Sequence, residues 1–186
     1  MNMTTSVKIR RAAAAIRAGG VVAYPTEAVY GLGCDPDDAD AVQRILALKR
    51  RPESAGVILI AADVAQLSGW IAPTRAEAER LAAGDEGVTW VVTAGAGAPT
   101  WITGGRDTIA VRITQHPVAA ALCRSAGMPI VSTSANRSGK PPARDALSVR
   151  LALGAEVDCV LSAPTGGKQQ PSEIRDARTG AILRAG

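Results

Sequence analysis

The chain contains no phenylalanine, and its aromatic residues stop at Tyr24, Tyr30, Trp70, Trp90 and Trp101. The core must therefore be built from Val, Ile, Leu and a large stock of Ala. The same scarcity argues against reading single-stranded nucleic acid by stacking, which needs several exposed aromatic platforms. Histidine is nearly absent: His116 stands alone ahead of Pro117 at a helix start, where a structural role is expected over catalysis. Cys34, Cys123 and Cys159 lie far apart with no C-x-x-C pair, so neither a disulfide framework nor a His/Cys zinc site is available, and reduced thiols in a cytoplasmic protein are expected. No apolar run approaches the length of a membrane span, and the N-terminal stretch lacks the apolar core and cleavage site of a secretory leader. A soluble protein without membrane contact is the expectation. Also missing are a P-loop, a G-x-G-x-x-G after a strand and a G-x-S-x-G elbow, so any nucleotide must be held by other means.

What is present is a chain of 186 residues, 47% hydrophobic and 20% charged, which fits one well-buried domain over residues 1–186. Its net charge of +4 suits phosphate-bearing ligands or RNA without requiring either. The densest positive cluster is Arg44, Lys49, Arg50 and Arg51. The acidic run Asp35, Asp37, Asp38 and Asp40 reads as a helix start in preference to a metal site, because carboxylates there satisfy free N–H groups and the helix dipole.

An Ala-rich helix is expected over residues 6–18, ended by Gly19 and Gly20, followed by a buried strand at 21–24. Gly31, Leu32 and Gly33 read as a glycine turn, and a helix over residues 41–48 ends at the cations ahead of Pro52. Further strands are expected at 56–61, 88–93, 108–114, 129–131 and 157–161. Helices are expected at 63–67, 74–83, 117–125 and 145–153, with a Gly/Pro-rich loop at 94–106. Alternation over 108–114 puts Ile109, Val111 and Ile113 on one face and Thr108, Ala110 and Arg112 on the other. Residues 165–171 read as a mobile loop, and the chain closes with a hairpin turning at Thr179 and Gly180. Alternating strands and helices make the class α/β, and the strand pair around Trp90 and Val111 with the closing hairpin favours a mixed sheet over a parallel one.

Ligands in such folds gather where loops meet at strand ends. Polar loops follow the strands at Tyr24-Pro25-Thr26-Glu27 and at Ser132-Thr133-Ser134-Ala135-Asn136, and Pro171-Ser172-Glu173-Ile174 enters the hairpin. With Lys49 and Arg51 they read as a site for an anionic small molecule, built from hydroxyls and cations and not from a nucleophile and base.

These segments carry a resemblance. YPTEAVYGLGCD (residues 24–35), Lys49-x-Arg51-Pro52, Ser132-Thr133-Ser134-Ala135-Asn136 and PSEIRD (residues 171–176) together resemble the YrdC-like threonylcarbamoyl-AMP synthase family, in its short single-domain bacterial, TsaC-like form. The likeness runs from about the first helix to the C-terminal Leu183, Arg184, Ala185 and Gly186. It implies a twisted mixed parallel and antiparallel sheet with helices around it and a concave basic groove. It also implies a nucleotidyltransferase that makes threonylcarbamoyl-AMP and pyrophosphate from L-threonine, bicarbonate and ATP, with Mg2+ carried on the ATP phosphates. A companion transferase complex would then pass the threonylcarbamoyl group to adenosine 37 of tRNAs reading ANN codons. By the same resemblance Lys49, Arg51, Ser134, Asn136 and Arg184 bind ATP, and Thr26, Arg112 and Ser172 bind threonine, with no residue assigned as nucleophile, base or metal ligand. Arg50 is expected to point away from its neighbours.

One segment departs from the family. Asp85, Glu86 and Gly87 stand where a Pro-Gly-Pro element is usual, placing carboxylates beside a site for anions. The alternative function is a non-catalytic factor that binds tRNA or double-stranded RNA through the basic groove. It is opposed by the modest charge and the lack of any RNA-binding signature.

Overall fold

A computed structural model describes residues 3–83 and 87–186; Asp85 and Glu86, the acidic part of the departure from the family, lie outside the described residues. Among the described residues, nine strands form one mixed sheet in the order β7-β1-β2-β6-β3-β5-β4-β8-β9. The strands are β1 (Val22–Pro25), β2 (Tyr30–Gly33), β3 (Ile58–Ala61), β4 (Val88–Thr93), β5 (Thr108–Ile113), β6 (Ile130–Ser134), β7 (Cys159–Val160), β8 (Glu173–Asp176) and β9 (Ile182–Arg184). The pairs β1/β7, β3/β5 and β4/β8 are parallel, and the remaining neighbours are antiparallel. Trp90 pairs with Val111, as the strand patterns suggested. No helix among the described residues is long and apolar enough to cross a membrane.

Helices cover both faces. On one, α1 (Met3–Arg17) and α5 (Pro117–Ala126) pack through Ile9, Ala12, Ala13, Ile16, Val118, Ala119 and Leu122 against Val22, Tyr24, Ile60 and Ile130 of the sheet. Small alanine side chains let these helices lie close, which is how a chain without Phe fills this layer. On the other face, α2 (Ala39–Lys49), α3 (Arg75–Ala82), the single-turn α4 (Thr100–Thr103) and α6 (Ala146–Leu153) bury residues such as Ile45, Leu81, Ile102 and Val149 against Leu32, Leu59, Val92 and Val111. The segment read as a Gly/Pro loop thus contains one helical turn, started at Pro99 and stopped by the left-handed Gly104. The strand read at 157–161 narrows to Cys159–Val160.

The largest departure from the sequence reading is β2. Gly31 and Gly33 do not form a turn; they sit in an inner strand between β1 and β6. The turn lies earlier, where the Thr26 amide and hydroxyl both donate to the Val29 carbonyl, at 3.0 and 2.7 Å. The glycines are there for space. A Cβ on Gly33 would lie 2.5 Å from the Val131 carbonyl oxygen and 2.8 Å from the Tyr24 ring, which crosses this strand.

α2 aims the cations. Asp38 caps its start by accepting from the Ala41 amide at 2.9 Å, the structural role read for the acidic run. Arg50 ends it in the left-handed conformation, φ 45, so Lys49 leaves from the last turn of the helix and Arg51 from beyond the reversal.

Candidate functional site

The face carrying α1 and α5 is not covered along its whole length. Register puts Ile130, Ile60 and Arg112 in one cross-strand row, and Ser132, Ile58 and Ala110 in the next. Tyr24, Gly31 and Ser134 form a third. The first row begins under the helices and ends on Arg112. The others open, at Ser132, Ile58, Gly31 and Ser134, into a cleft of about 380 Å³ also lined by Thr26, Glu27, Lys49, Arg51, Arg112, Lys168, Ser172 and Arg184, among others. Every site residue expected from sequence except Asn136 lines it. Asn136 stands just behind, joined to the cleft through Lys49. Arg50 lines a separate groove with Arg44, Arg137 and Lys140.

On the α2 wall the Lys49 ammonium donates to the Ser134 carbonyl at 2.9 Å, to Ser134 Oγ at 3.1 Å and to Asn136 Oδ1. Ser134 Oγ in turn donates to Asn136 Oδ1 at 2.7 Å. Burial, with a smaller contribution from Arg51, lowers the Lys49 pKa to about 8. Arg51 donates to the Ala55 carbonyl at 3.1 Å, and its pKa is lowered by burial and by the nearby Arg106 and Arg184. Arg184, on β9, donates to the Ser172 carbonyl at 2.8 Å; burial and Arg112 lower its pKa as well. Cations that disfavour one another's charge around one cavity make a fixed positive field, which an anion relieves.

The floor belongs to Arg112, whose residue exposure is 8%, and Glu27, at 9%. Arg112 approaches Glu27 Oε2 at 3.8 Å. Glu27 Oε1 accepts from Thr114 Oγ1 at 2.7 Å and from the Gln115 and His116 amides at 3.2 and 3.3 Å. Burial alone would raise the Glu27 pKa, but Arg112 and the hydrogen bonds from Thr114 and the backbone outweigh it and hold the carboxyl below its ordinary range. His116 has a structural role, as its position suggested. Its Nδ1 accepts from the Ala119 amide at 3.3 Å, which leaves the proton on Nε2 to be donated to the Pro164 carbonyl at 3.1 Å. Ser132 accepts from the buried Tyr24 hydroxyl at 2.8 Å, and Ser172 Oγ lies 2.8 Å from Thr89 Oγ1.

The sequence reading missed Glu27, Ser132 and Lys168 as cleft-lining groups, although the first two fall inside segments it singled out. It also took residues 165–171 for a mobile loop, whereas the structure pins them. Gly166 and Lys168 amides donate to the Thr26 and Glu27 carbonyls at 3.0 and 2.9 Å, and Arg144 donates to the Gln169 carbonyl at 2.8 Å. Nothing local in a Thr-Gly-Gly-Lys-Gln-Gln string announces those bonds. Gly87 joins the lining at φ 78, with Lys168 beside it.

A mixed sheet with one face left open over a cation-lined, hydroxyl-rich cleft defines an α/β protein whose cleft is suited in charge to anionic small molecules. The Sua5/YciO/YrdC family model, described as telomere recombination, matches residues 14–186, and the chain belongs to that family. It is 55% identical over 183 residues to the threonylcarbamoyl-AMP synthase of Halorhodospira halophila, spanning 97% of this chain and 96% of that one. It is 53% identical over 185 residues to that of Alkalilimnicola ehrlichii, spanning 98% and 97%. Among solved structures, P. abyssi Sua5 complexed with L-threonine matches with a TM-score of 0.88 at 36% identity, covering 96% of this chain and 54% of that chain, so this chain spans about half the length of that protein. E. coli YciO matches with a TM-score of 0.85 at 26% identity, covering 97% and 90%.

Proposed function

We propose that the chain is an L-threonylcarbamoyladenylate synthase, which makes threonylcarbamoyl-AMP and pyrophosphate from L-threonine, bicarbonate and ATP. The observation that carries this reading is that one cleft holds cations at two places. Lys49, bonded to Ser134 and Asn136, stands on the wall, and the buried Arg112, beside Glu27, stands on the floor. The relatives named for this activity cover nearly the whole chain.

In this reading Lys49 and Arg51 grip the triphosphate, Ser134 and Asn136 bind nucleotide and phosphates, and Arg184 lies near the nucleotide. Arg112 pairs the threonine carboxylate, with Thr26 and Ser172 beside the amino acid. Bicarbonate takes up a proton and loses water to give carbon dioxide, and the threonine amine adds to it and releases a proton, forming a carbamate; a carbamate oxygen then attacks the α-phosphorus of ATP and pyrophosphate leaves. Such a transfer depends on positioning and charge neutralisation more than on covalent catalysis, so the lack of a nucleophile and base pair is no obstacle. The described residues offer no group of three or more His, Cys, Asp or Glu to hold a metal, and Glu27 is the single carboxylate among the described residues lining the cleft. Mg2+ is accordingly assigned to the ATP phosphates. The product suits a companion transferase acting on tRNA, in the cytoplasm.

Purified protein is expected to release pyrophosphate only when L-threonine, bicarbonate and Mg-ATP are all present. Lys49→Ala should abolish the release, and Arg112→Ala should raise the threonine requirement with little effect on ATP affinity. Pyrophosphate release that is indifferent to threonine would refute the reading.

A further inference from the structure

Glu27 is a buried carboxylate with one oxygen saturated and the other open. Its backbone is fixed by the bond from the Lys168 amide, and Oε1 is held by Thr114, Gln115 and His116, which sets the plane of the carboxylate. Oε2 is buried and makes no hydrogen bond; the nearest cation, Arg112, stands off at 3.8 Å, outside hydrogen-bond range. Arg112 Nε is in the same condition, buried and without a partner. A purely structural pair would close to direct contact, because unmade hydrogen bonds on buried charges are costly. Here an unsatisfied acceptor and an unsatisfied donor belong to two residues that line the cleft floor, the guanidinium and the carboxylate approaching within 3.8 Å through Arg112 Nη2 and Glu27 Oε2. A molecule that completes both must carry an N–H next to an acceptor oxygen, as the α-amino and carboxylate groups of an amino acid do.

We propose that Glu27 is the amine-reading group of the amino-acid site: Oε2 accepts an N–H from the substrate's α-nitrogen while Arg112 takes the carboxylate. The inference rests on the synthase reading above and deepens it. An N–H tied to Glu27 fixes which side of the nitrogen is free to take up carbon dioxide. The site then selects α-amino acids over molecules that offer only a carboxylate and a hydroxyl.

The test uses calorimetry on the full chain with a non-hydrolysable ATP analogue present, comparing L-threonine with 3-hydroxybutyrate, which is threonine without its α-amine. The wild type is expected to bind threonine roughly 10- to 100-fold more tightly, the range for a hydrogen bond to a charged group. Glu27→Gln keeps the size of the side chain but turns the open acceptor into a donor. It should abolish the preference for threonine over 3-hydroxybutyrate without weakening the binding of 3-hydroxybutyrate or of the ATP analogue. Thr114→Val is a second variant that removes one of the three donors to Oε1 without touching the ligand; it should narrow the same discrimination in part, and circular dichroism verifies that both variants fold. Discrimination that survives Glu27→Gln, or equal weakening of both acids, overturns the inference and leaves the synthase reading standing. A wild type that binds the ATP analogue but no amino acid overturns the synthase reading, and this inference with it.

Discussion

Lys49 sits where burial makes its charge hard to keep, and that has a measurable consequence. Its pKa of about 8 means the ammonium loses its proton as pH rises through the physiological alkaline range. Below that value the cation is intact and bonded to Ser134 and Asn136; above it, the charge that the proposed site offers to the phosphates is gone. Affinity for a non-hydrolysable ATP analogue is therefore expected to fall between pH 7 and 9, by roughly tenfold per pH unit at most once the group is titrating. Lys49→Arg, which does not titrate there, should flatten that profile even if its longer side chain binds less well at pH 7. Bound phosphate favours the ammonium, so saturating ATP should shift the transition upward. Residues of this kind are partly legible in sequence. Arg112 could be placed on its face by alternation, and Lys49 and Arg51 by their position at a helix end. Glu27 could not, because the donors that fix its carboxylate come from residues 114–116, on another strand end.

At the scale of elements, β2 shows why local patterns fail. Two glycines flanking a leucine have the composition of a turn, and only the Tyr24 ring and the β6 backbone pressing on both sides explain them. Gly33→Ala is expected to destabilise the protein by about 1–3 kcal/mol, the usual cost of overpacking, because its new methyl group meets a backbone carbonyl that cannot give way. Urea unfolding reads this directly, and a midpoint unchanged from wild type would mean that β2 does not lie against β6 as described. Arg50 offers the opposite outcome. It is the non-glycine residue with positive φ among the described residues, at a helix end where glycine is the usual occupant. Arg50→Gly should stabilise by about 0.5–1 kcal/mol and leave pyrophosphate release intact, since its side chain lies outside the cleft. The helix starts and stops were legible because Asp38, Thr74 and Gly127 act on neighbours within a turn. The strap over residues 165–171 was not, since it is held from residues far away in the chain.

For the whole molecule, the α/β class and the mixed sheet followed from periodicity alone, but the strand order did not, and the strand order decides which polar loops share a cleft. It also sets where charge is buried, and so how stability responds to acid. Glu77, in the first turn of α3, is fully buried and accepts from the Thr74 amide at 2.7 Å and from the Thr93 amide and hydroxyl at 3.0 Å, with Arg178 at 3.3 Å. Burial would raise its pKa, but these bonds outweigh burial and lower it, as Arg112 and Thr114 do for Glu27. Both carboxyls thus have folded pKa values below their ordinary value of 4.5. Their contribution is fully present above that value and is lost as pH falls through the folded values, because the unfolded chain takes up protons first. Thermal unfolding should show a stable plateau near neutrality and a decline beginning below about pH 4.5. Glu77→Gln turns one oxygen into a donor facing donors, so it should lower the plateau by roughly 1–3 kcal/mol and make the acid limb shallower. Since Glu77 lies apart from the cleft, threonine-dependent pyrophosphate release by this variant at a temperature where it is folded should match the wild type. A variant with the wild-type acid limb would show that Glu77 is not held as a carboxylate in the folded protein.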